Sequence, residues 1–199
     1  MDKDMIQTFI DKANLVSARV YSVSSMADAL EKTVEICQTK IPLDPQMASP
    51  AEPGDEQNKI MAAPNLDDRA FSVLERTCDT VQGITLVREE LRKYPGGIDL
   101  GVTQMDFGIA ETGTLVLNSN SEETRLATML SETHVAILST SKIRPTALAM
   151  ADELKELVSK SGDYLAFITG ASRTADIERV LAIGVHGPVE LHLLLVKED

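Results

Sequence analysis

Short, uninterrupted apolar segments alternate with helical segments along most of this chain, and that alternation restricts the folds available to it. Residues 134–139, 164–169 and 189–197 are three such apolar runs. Runs of this kind are typical of strands that are buried on both faces of a parallel sheet. Helical spacing of apolar residues occupies the intervals, at residues 145–159 and 174–181. The pattern predicts an α/β fold in which helices flank a largely parallel sheet.

The N-terminal residues follow a different pattern. Apolar side chains recur at helical spacing from Met5 onwards, and a short β-like segment at residues 19–23 precedes a second helical stretch. Residues 41–59 combine prolines with acidic side chains and show no apolar periodicity, which is typical of a loop or insertion. We therefore predict a helical N-terminal extension, residues 1–58, that ends in the proline-rich loop, followed by an α/β domain, residues 59–199.

Charge and cysteine content exclude several classes of function. The chain of 199 residues has 31 acidic and 19 basic side chains, a formal net charge of −12. Binding to nucleic acid or to anionic lipid depends on an excess of Lys and Arg, so this charge argues against both partners. Cys37 and Cys78 are far apart, and no metal-ligand spacing is present, so we expect no metal or cofactor in this chain. No apolar run approaches the roughly 20 residues that cross a bilayer, and we expect a cytoplasmic protein.

The first dense motif, residues 110–117, reads Ala-Glu-Thr-Gly-Thr-Leu-Val-Leu. Gly113 allows a tight turn or the close approach of a ligand, while Thr112 and Thr114 supply hydroxyl groups and backbone amides. Glu111 places a carboxylate directly before the turn, where it is a candidate catalytic residue. The alternative interpretation is a turn between two strands, with a solvated glutamate beside it.

A second motif leads from Gly170 and Ser172 through Arg173 to Thr174 and Asp176. A helix that begins near Thr174 would offer its unpaired amides and its dipole to an anion, and Arg173 would clamp a carboxylate or phosphate. The alternative is simple capping of that helix, with Ser172 or Thr174 as the N-cap. The two interpretations are compatible.

The third motif contains the best candidate for proton transfer, His186, which lies on a short connection between two glycines and is followed by Gly187 and a proline. For His134 and His192, which fall in apolar strands, packing or solvent exposure is the simpler interpretation. Arg125 is a further candidate for holding an anion, since an anionic substrate needs local positive charge in so acidic a chain. The sequence has no HExxH motif and neither of the common glycine-rich nucleotide-binding motifs.

Segments 110–117, 172–178 and 184–188, in this order near the C-terminus, resemble the LUD-domain family, and within it the lactate-utilization protein C type. The resemblance covers about residues 60–197, within the usual size of a domain. Family members often have Gly-Pro-Ser where this chain has Gly170, Ala171 and Ser172. The family's fold is similar to that of ribose-5-phosphate isomerase, glucosamine-6-phosphate deaminase and the CoA transferases, which implies a parallel-sheet α/β architecture.

The resemblance implies a subunit of a cytoplasmic lactate-utilization system that supports oxidation of L-lactate to pyruvate. It implies iron–sulfur clusters in partner proteins, none in this chain, and a small carboxylate or other organic anion as ligand. The alternative is an independent enzyme of the CoA-transferase or sugar-phosphate-isomerase type, with Glu111 and His186 as acid, base or nucleophile. A third hypothesis is a regulatory module that senses an organic anion.

Overall fold

The computed structural model describes residues 3–40, 58–94, 97–159, 164–175, 181–183 and 187–197. The helices in these ranges are α1 (Lys3–Leu15), α2 (Met26–Thr39), α3 (Asp68–Asp79), α4 (Glu122–Met129) and α5 (Ala151–Leu157). The strands are β1 (Ala18–Val23), β2 (Lys59–Ala62), β3 (Ile84–Val87), β4 (Ile98–Gln104), β5 (Phe107–Ile109), β6 (Thr114–Asn118), β7 (Ser131–Ser139), β8 (Ile143–Arg144), β9 (Leu165–Ile168), β10 (Arg173–Ala175), β11 (Leu181–Ile183) and β12 (Glu190–Val196).

Six of the described strands form one parallel sheet in the order β1-β12-β7-β4-β2-β3. Helices flank this sheet, so the predicted α/β architecture is confirmed. β7 and β12 lie side by side in the sheet and are buried along most of their length. Their uninterrupted apolar sequences follow from this burial on both faces.

Each face of the parallel sheet has its own core, because successive side chains of a strand point to opposite faces. Helices α2 and α3 cover one face, and their apolar side chains join those of β4, β7 and β12 in a single buried cluster. The other face packs against α1 and against a second sheet of order β8-β5-β6-β9. The first motif and the described start of the second lie on this side of the parallel sheet.

The N-terminal residues are part of the parallel sheet. β1 pairs with β12 from Ala18 opposite Leu191 to Val23 opposite Val196. Ser25 begins α2, since its side chain accepts a hydrogen bond from the backbone N–H of Asp28 at 3.1 Å. Strand pairing therefore joins the predicted extension to the α/β domain, a long-range contact that local spacing does not indicate. The proline-rich residues 41–57 lie outside the described residues.

Two segments near the C-terminus differ from the expected parallel pattern. Residues 165–168 form a strand, as predicted, but this strand β9 pairs antiparallel with β6 in the second sheet. A helix was expected at residues 174–181. Residues 173–175 and 181–183 instead form β10 and β11, which pair antiparallel with each other. The helix prediction is wrong at those ends, because cross-strand pairing overrides the weak local preference of so short a segment.

Candidate functional site

Threonine hydroxyls join the first motif to Thr169, the residue directly before the second motif. Thr114 lies between Thr112 and Thr169, at 2.8 Å from each hydroxyl oxygen, and is itself buried. The antiparallel pairing of β6 with β9 brings these side chains together. Segments more than fifty residues apart in the sequence therefore form one continuous polar contact, as expected if both belong to one site.

The glycines of these two motifs make room for the end of α1. Gly113 has a φ of +66°, and a Cβ on it would lie 2.4 Å from the backbone nitrogen of Ala13. Gly170 has a φ of +76°, and its Cβ would lie 2.0 Å from the carbonyl oxygen of Val16. Both glycines are thus required by backbone conformation and by direct contact with the last turn of α1 and the residue after it.

Arg173 also contacts this end of α1, since its guanidinium donates a hydrogen bond to the Val16 carbonyl oxygen at 2.5 Å. A cation beside the C-terminal end of a helix is favourable because carbonyl groups there lack helical partners. Strand β10 begins at Arg173, so the helix N-terminus on which the predicted anion site rested is not formed at Thr174. Asp176 lies outside the described residues, and Arg173 acts here on α1.

Ser172 belongs to a small cavity beneath the second motif, which we call the His134 pocket. The pocket has a volume of about 130 Å³, and its walls are mostly apolar. The backbone N–H of Ser172 donates to the carbonyl of Pro188 at 2.8 Å, and a Cβ on Gly187 would lie 3.4 Å from the Ser172 Cβ. These contacts bring the third motif against the second. The side chains that line the pocket include His134, Ala166, Ile168, Ser172, Pro188 and Leu191.

His134 is the titratable group of this pocket, and the sequence analysis assigned it only to packing or solvent exposure. Its side chain is buried, and its Nε2 is hydrogen bonded to the Thr103 hydroxyl at 2.7 Å. Burial lowers the pKa of His134 to about 4, because the charged imidazolium is poorly solvated there. The ring is therefore neutral near pH 7. The sequence did contain a signal of this burial. His134 precedes Ala136 and Leu138 by two and four residues, so in a strand all three side chains point to the same face, which is buried.

Two other predicted residues do not line the His134 pocket. The exposed Glu111 carboxylate accepts a hydrogen bond from the backbone N–H of Ala147 at 3.1 Å, ahead of a short helical turn. Arg125 donates to the carbonyl oxygens of Ser119 and Asn120 and stacks on Tyr164 at 5.5 Å. Glu111 and Arg125 therefore have local structural contacts of their own.

Some of the predicted site cannot be located in this structure. His186 and Asp176 lie outside the described residues, as does the side chain of Thr174. Across the described ranges, no three His, Cys, Asp or Glu side chains form a group that could hold a metal ion. The longest described helix, α2, has 14 residues, and none of the described helices meets the length and hydropathy needed to cross a bilayer.

Comparison with known proteins finds relatives that match between about half and nearly all of this chain. Lactate utilization protein C 1 of Bacillus mycoides is 37% identical over 116 residues, which cover 56% of this chain and 49% of that protein. Lactate utilization protein C of Bacillus subtilis is 34% identical over 113 residues, 55% of this chain and 47% of that protein. The uncharacterized protein YkgG of Escherichia coli is 28% identical over 195 residues, covering 96% of this chain and 78% of that protein. The matched region thus spans about half the length of the Bacillus relatives.

The fold is also found in a solved structure. A DUF162 family protein from Deinococcus radiodurans superimposes with a TM-score of 0.62 at 18% identity, over 97% of this chain and 96% of that one. The LUD-domain family model matches residues 6–196, which include most of α1 and all of β1 as well as the three motifs. Since that match takes in nearly every described element, the chain belongs to the LUD-domain family.

Proposed function

We propose that this chain is a component of a lactate-utilization system, which supports oxidation of L-lactate to pyruvate in the cytoplasm together with iron–sulfur partner proteins. The observation that carries the proposal is the 34–37% identity to proteins named lactate utilization protein C, within a LUD-domain match. These alignments cover about half of each chain. The activity of the complete system is therefore part of the proposal.

Electron balance supports the proposal of partner proteins. Oxidation of lactate to pyruvate releases two electrons and two protons, and an acceptor must take the electrons. An iron–sulfur cluster is usually held by four thiolates, and this chain has two cysteines. Both are buried free thiols, and burial raises the pKa of Cys37 to about 12 and that of Cys78 to about 11. Such protonated thiols are poor metal ligands. We assign the electron carriers to partner subunits.

We propose that the His134 pocket receives the apolar end of a small carboxylate, because its walls are mostly apolar and His134 is neutral near pH 7. Its volume of about 130 Å³ equals that of about four water molecules, which suits a three-carbon acid. Ile168 and Leu191 offer apolar contact to a methyl group, and Ser172 offers a hydroxyl. Of the two proposed proton-transfer residues, Glu111 does not line this pocket and His186 lies outside the described residues, so their roles are tested by mutation.

Reconstitution tests the proposed function. We expect the purified chain alone to show no lactate-dependent dye reduction, and we expect activity once the iron–sulfur partner proteins are added, because the electrons then have an acceptor. His186→Ala and Glu111→Ala, measured in the same assay, test the two proton-transfer candidates. Activity of the isolated chain on an acyl-CoA or a sugar phosphate would contradict the proposal and support the independent enzyme instead.

A change in pocket size tests the proposed binding site. Lactate at about a hundredfold excess over its dissociation constant is expected to stabilise the chain by about 3 kcal/mol, measured by thermal unfolding. Ala166→Leu, which fills the His134 pocket, should remove that stabilisation. Phe167→Leu is the matched control, since Phe167 is 52% exposed and points to the opposite face of β9. Equal responses of the two variants to lactate would exclude the pocket as the binding site.

A further inference from the structure

A larger cavity lies on the opposite face of the parallel sheet from the His134 pocket. It has a volume of about 460 Å³ and lies between α2 and the amino-terminal ends of β1, β12 and β7. We call it the α2 cleft. His192 lines this cleft from β12, whereas its neighbour Leu191 lines the His134 pocket, because successive side chains of a strand point to opposite faces. The two cavities are therefore separate sites.

One wall of the α2 cleft is a network centred on Glu190. Arg19 donates to both carboxylate oxygens of Glu190, at 2.7 Å and 3.3 Å, and His192 donates to the same carboxylate from Nε2 at 3.1 Å. The ring of Tyr21 stacks on His192 with 5.7 Å between centroids. Burial lowers the pKa of His192 although Glu190 opposes the shift, so the ring is neutral near pH 7. Hydrogen bonds to Glu190 therefore fix the positions of Arg19 and His192 along this wall.

The opposite wall is supplied by α2. The Lys32 ammonium lies 5.2 Å from the centre of the Tyr21 ring and 2.8 Å from a carboxylate oxygen of Glu35. Lys40, whose side chain is only 6% exposed, pairs with Glu132 and with Asp99. Burial of a lysine is costly unless it is paired, and these two carboxylates meet that need. Cations from two elements thus face one open volume.

The size of the α2 cleft points to a ligand, since a volume of about 460 Å³ falls in the range of sites for small molecules. The lining contains three cations, Arg19, Lys32 and Lys40, and three carboxylates, those of Glu35, Glu132 and Glu190. Arginine and lysine retain N–H donors beyond those used in these pairs, and the carboxylates retain acceptor positions.

The balance of donors and acceptors indicates the chemistry of the ligand. An oxyanion, either carboxylate or phosphate, would accept the remaining N–H donors of Arg19 and Lys32. Hydroxyl groups on the same molecule would donate to the glutamates, which a simple inorganic anion does not do. We propose that the α2 cleft binds a hydroxylated organic anion larger than lactate. This proposal does not depend on the proposed role in lactate utilization.

Calorimetric titration of the full chain with gluconate and with glucose 6-phosphate tests the proposal. The two probes separate carboxylate from phosphate, and glucose and inorganic phosphate are controls that each lack one half of the required chemistry. We expect at least one of the two hydroxylated anions to bind with a dissociation constant of about 1 mM or tighter. Glucose and inorganic phosphate should bind much more weakly.

Variants locate the binding to the α2 cleft. Arg19→Gln and Lys32→Gln should each weaken binding of the hydroxylated anion about tenfold. Arg92→Gln is the control, since Arg92 pairs with Glu122 on the surface away from the cleft and is 78% exposed. Failure of both probes to bind would overturn the proposal, as would unchanged binding in both cleft variants. Binding of glucose or inorganic phosphate as tightly as the hydroxylated anions would also overturn it.

Discussion

Gly170→Ala is expected to lower the free energy of unfolding by about 3 kcal/mol or more, measured by urea denaturation. Two costs add at this position. The φ of +76° is unfavourable for alanine by about 1–2 kcal/mol. The new methyl group would also lie 2.0 Å from the Val16 carbonyl oxygen, so the backbone after α1 must move away from the second motif. Overpacking of this kind typically costs about 1–3 kcal/mol.

Gly83→Ala is the matched control for that experiment. Gly83 has a similar φ of +79°, but a Cβ there would have nothing within 4 Å. We expect a loss of about 1–2 kcal/mol, from backbone conformation alone. The difference between the two variants therefore measures the contact between the motif and the residue that follows α1. Equal losses at the two positions would show that the contact with Val16 contributes nothing to stability.

The second large effect concerns pH. Burial lowers the pKa of His134 to about 4 in the folded chain, from the ordinary histidine value of 6.5, so the unfolded state binds a proton more readily. The neutral ring is the favoured folded form, and stability falls as the pH decreases from 6.5 to 4. The difference of pKa corresponds to about 3 kcal/mol lost across that window.

His134→Gln separates this effect from the titration of other groups. Glutamine keeps an amide that can hydrogen bond with Thr103 and carries no titratable proton. We expect wild type to be more stable than the variant at pH 7, and we expect this advantage to shrink by about 3 kcal/mol between pH 7 and pH 4. Urea denaturation at several pH values measures it. A difference that stays constant with pH would show that His134 is not held neutral by burial.

Local sequence predicted the elements that depend on burial. The apolar run at residues 134–139 falls in β7, and the run at residues 189–197 contains β12. Helical spacing from Met5 onwards corresponds to α1. These predictions succeed because burial determines the spacing of apolar residues. A strand buried on both faces is apolar throughout, and a helix with one buried face has apolar residues at helical spacing.

The described contacts of the first two motifs differ from those that the sequence analysis expected. Gly113, Gly170 and Arg173 contact the end of α1, while Thr112 and Thr114 are hydrogen bonded to each other. The partner of Arg173 is the carbonyl of Val16, 157 positions earlier in the sequence. No local spacing contains such a pair. The helix expected at residues 174–181 was wrong at its ends for a related reason, since β10 is specified by its pairing with β11.

By itself, the sequence determined the α/β class, the acidic charge, the scarcity of thiols and the three loop segments that the LUD-domain resemblance singled out. Only the tertiary structure decided that β1 joins the parallel sheet, that His134 is a neutral buried group beside the second motif, and that Arg19 and His192 share a separate cleft. The physical reason is that composition and periodicity are properties of neighbouring residues. The pKa of a histidine and the volume of a cavity depend on which distant segments pack around it.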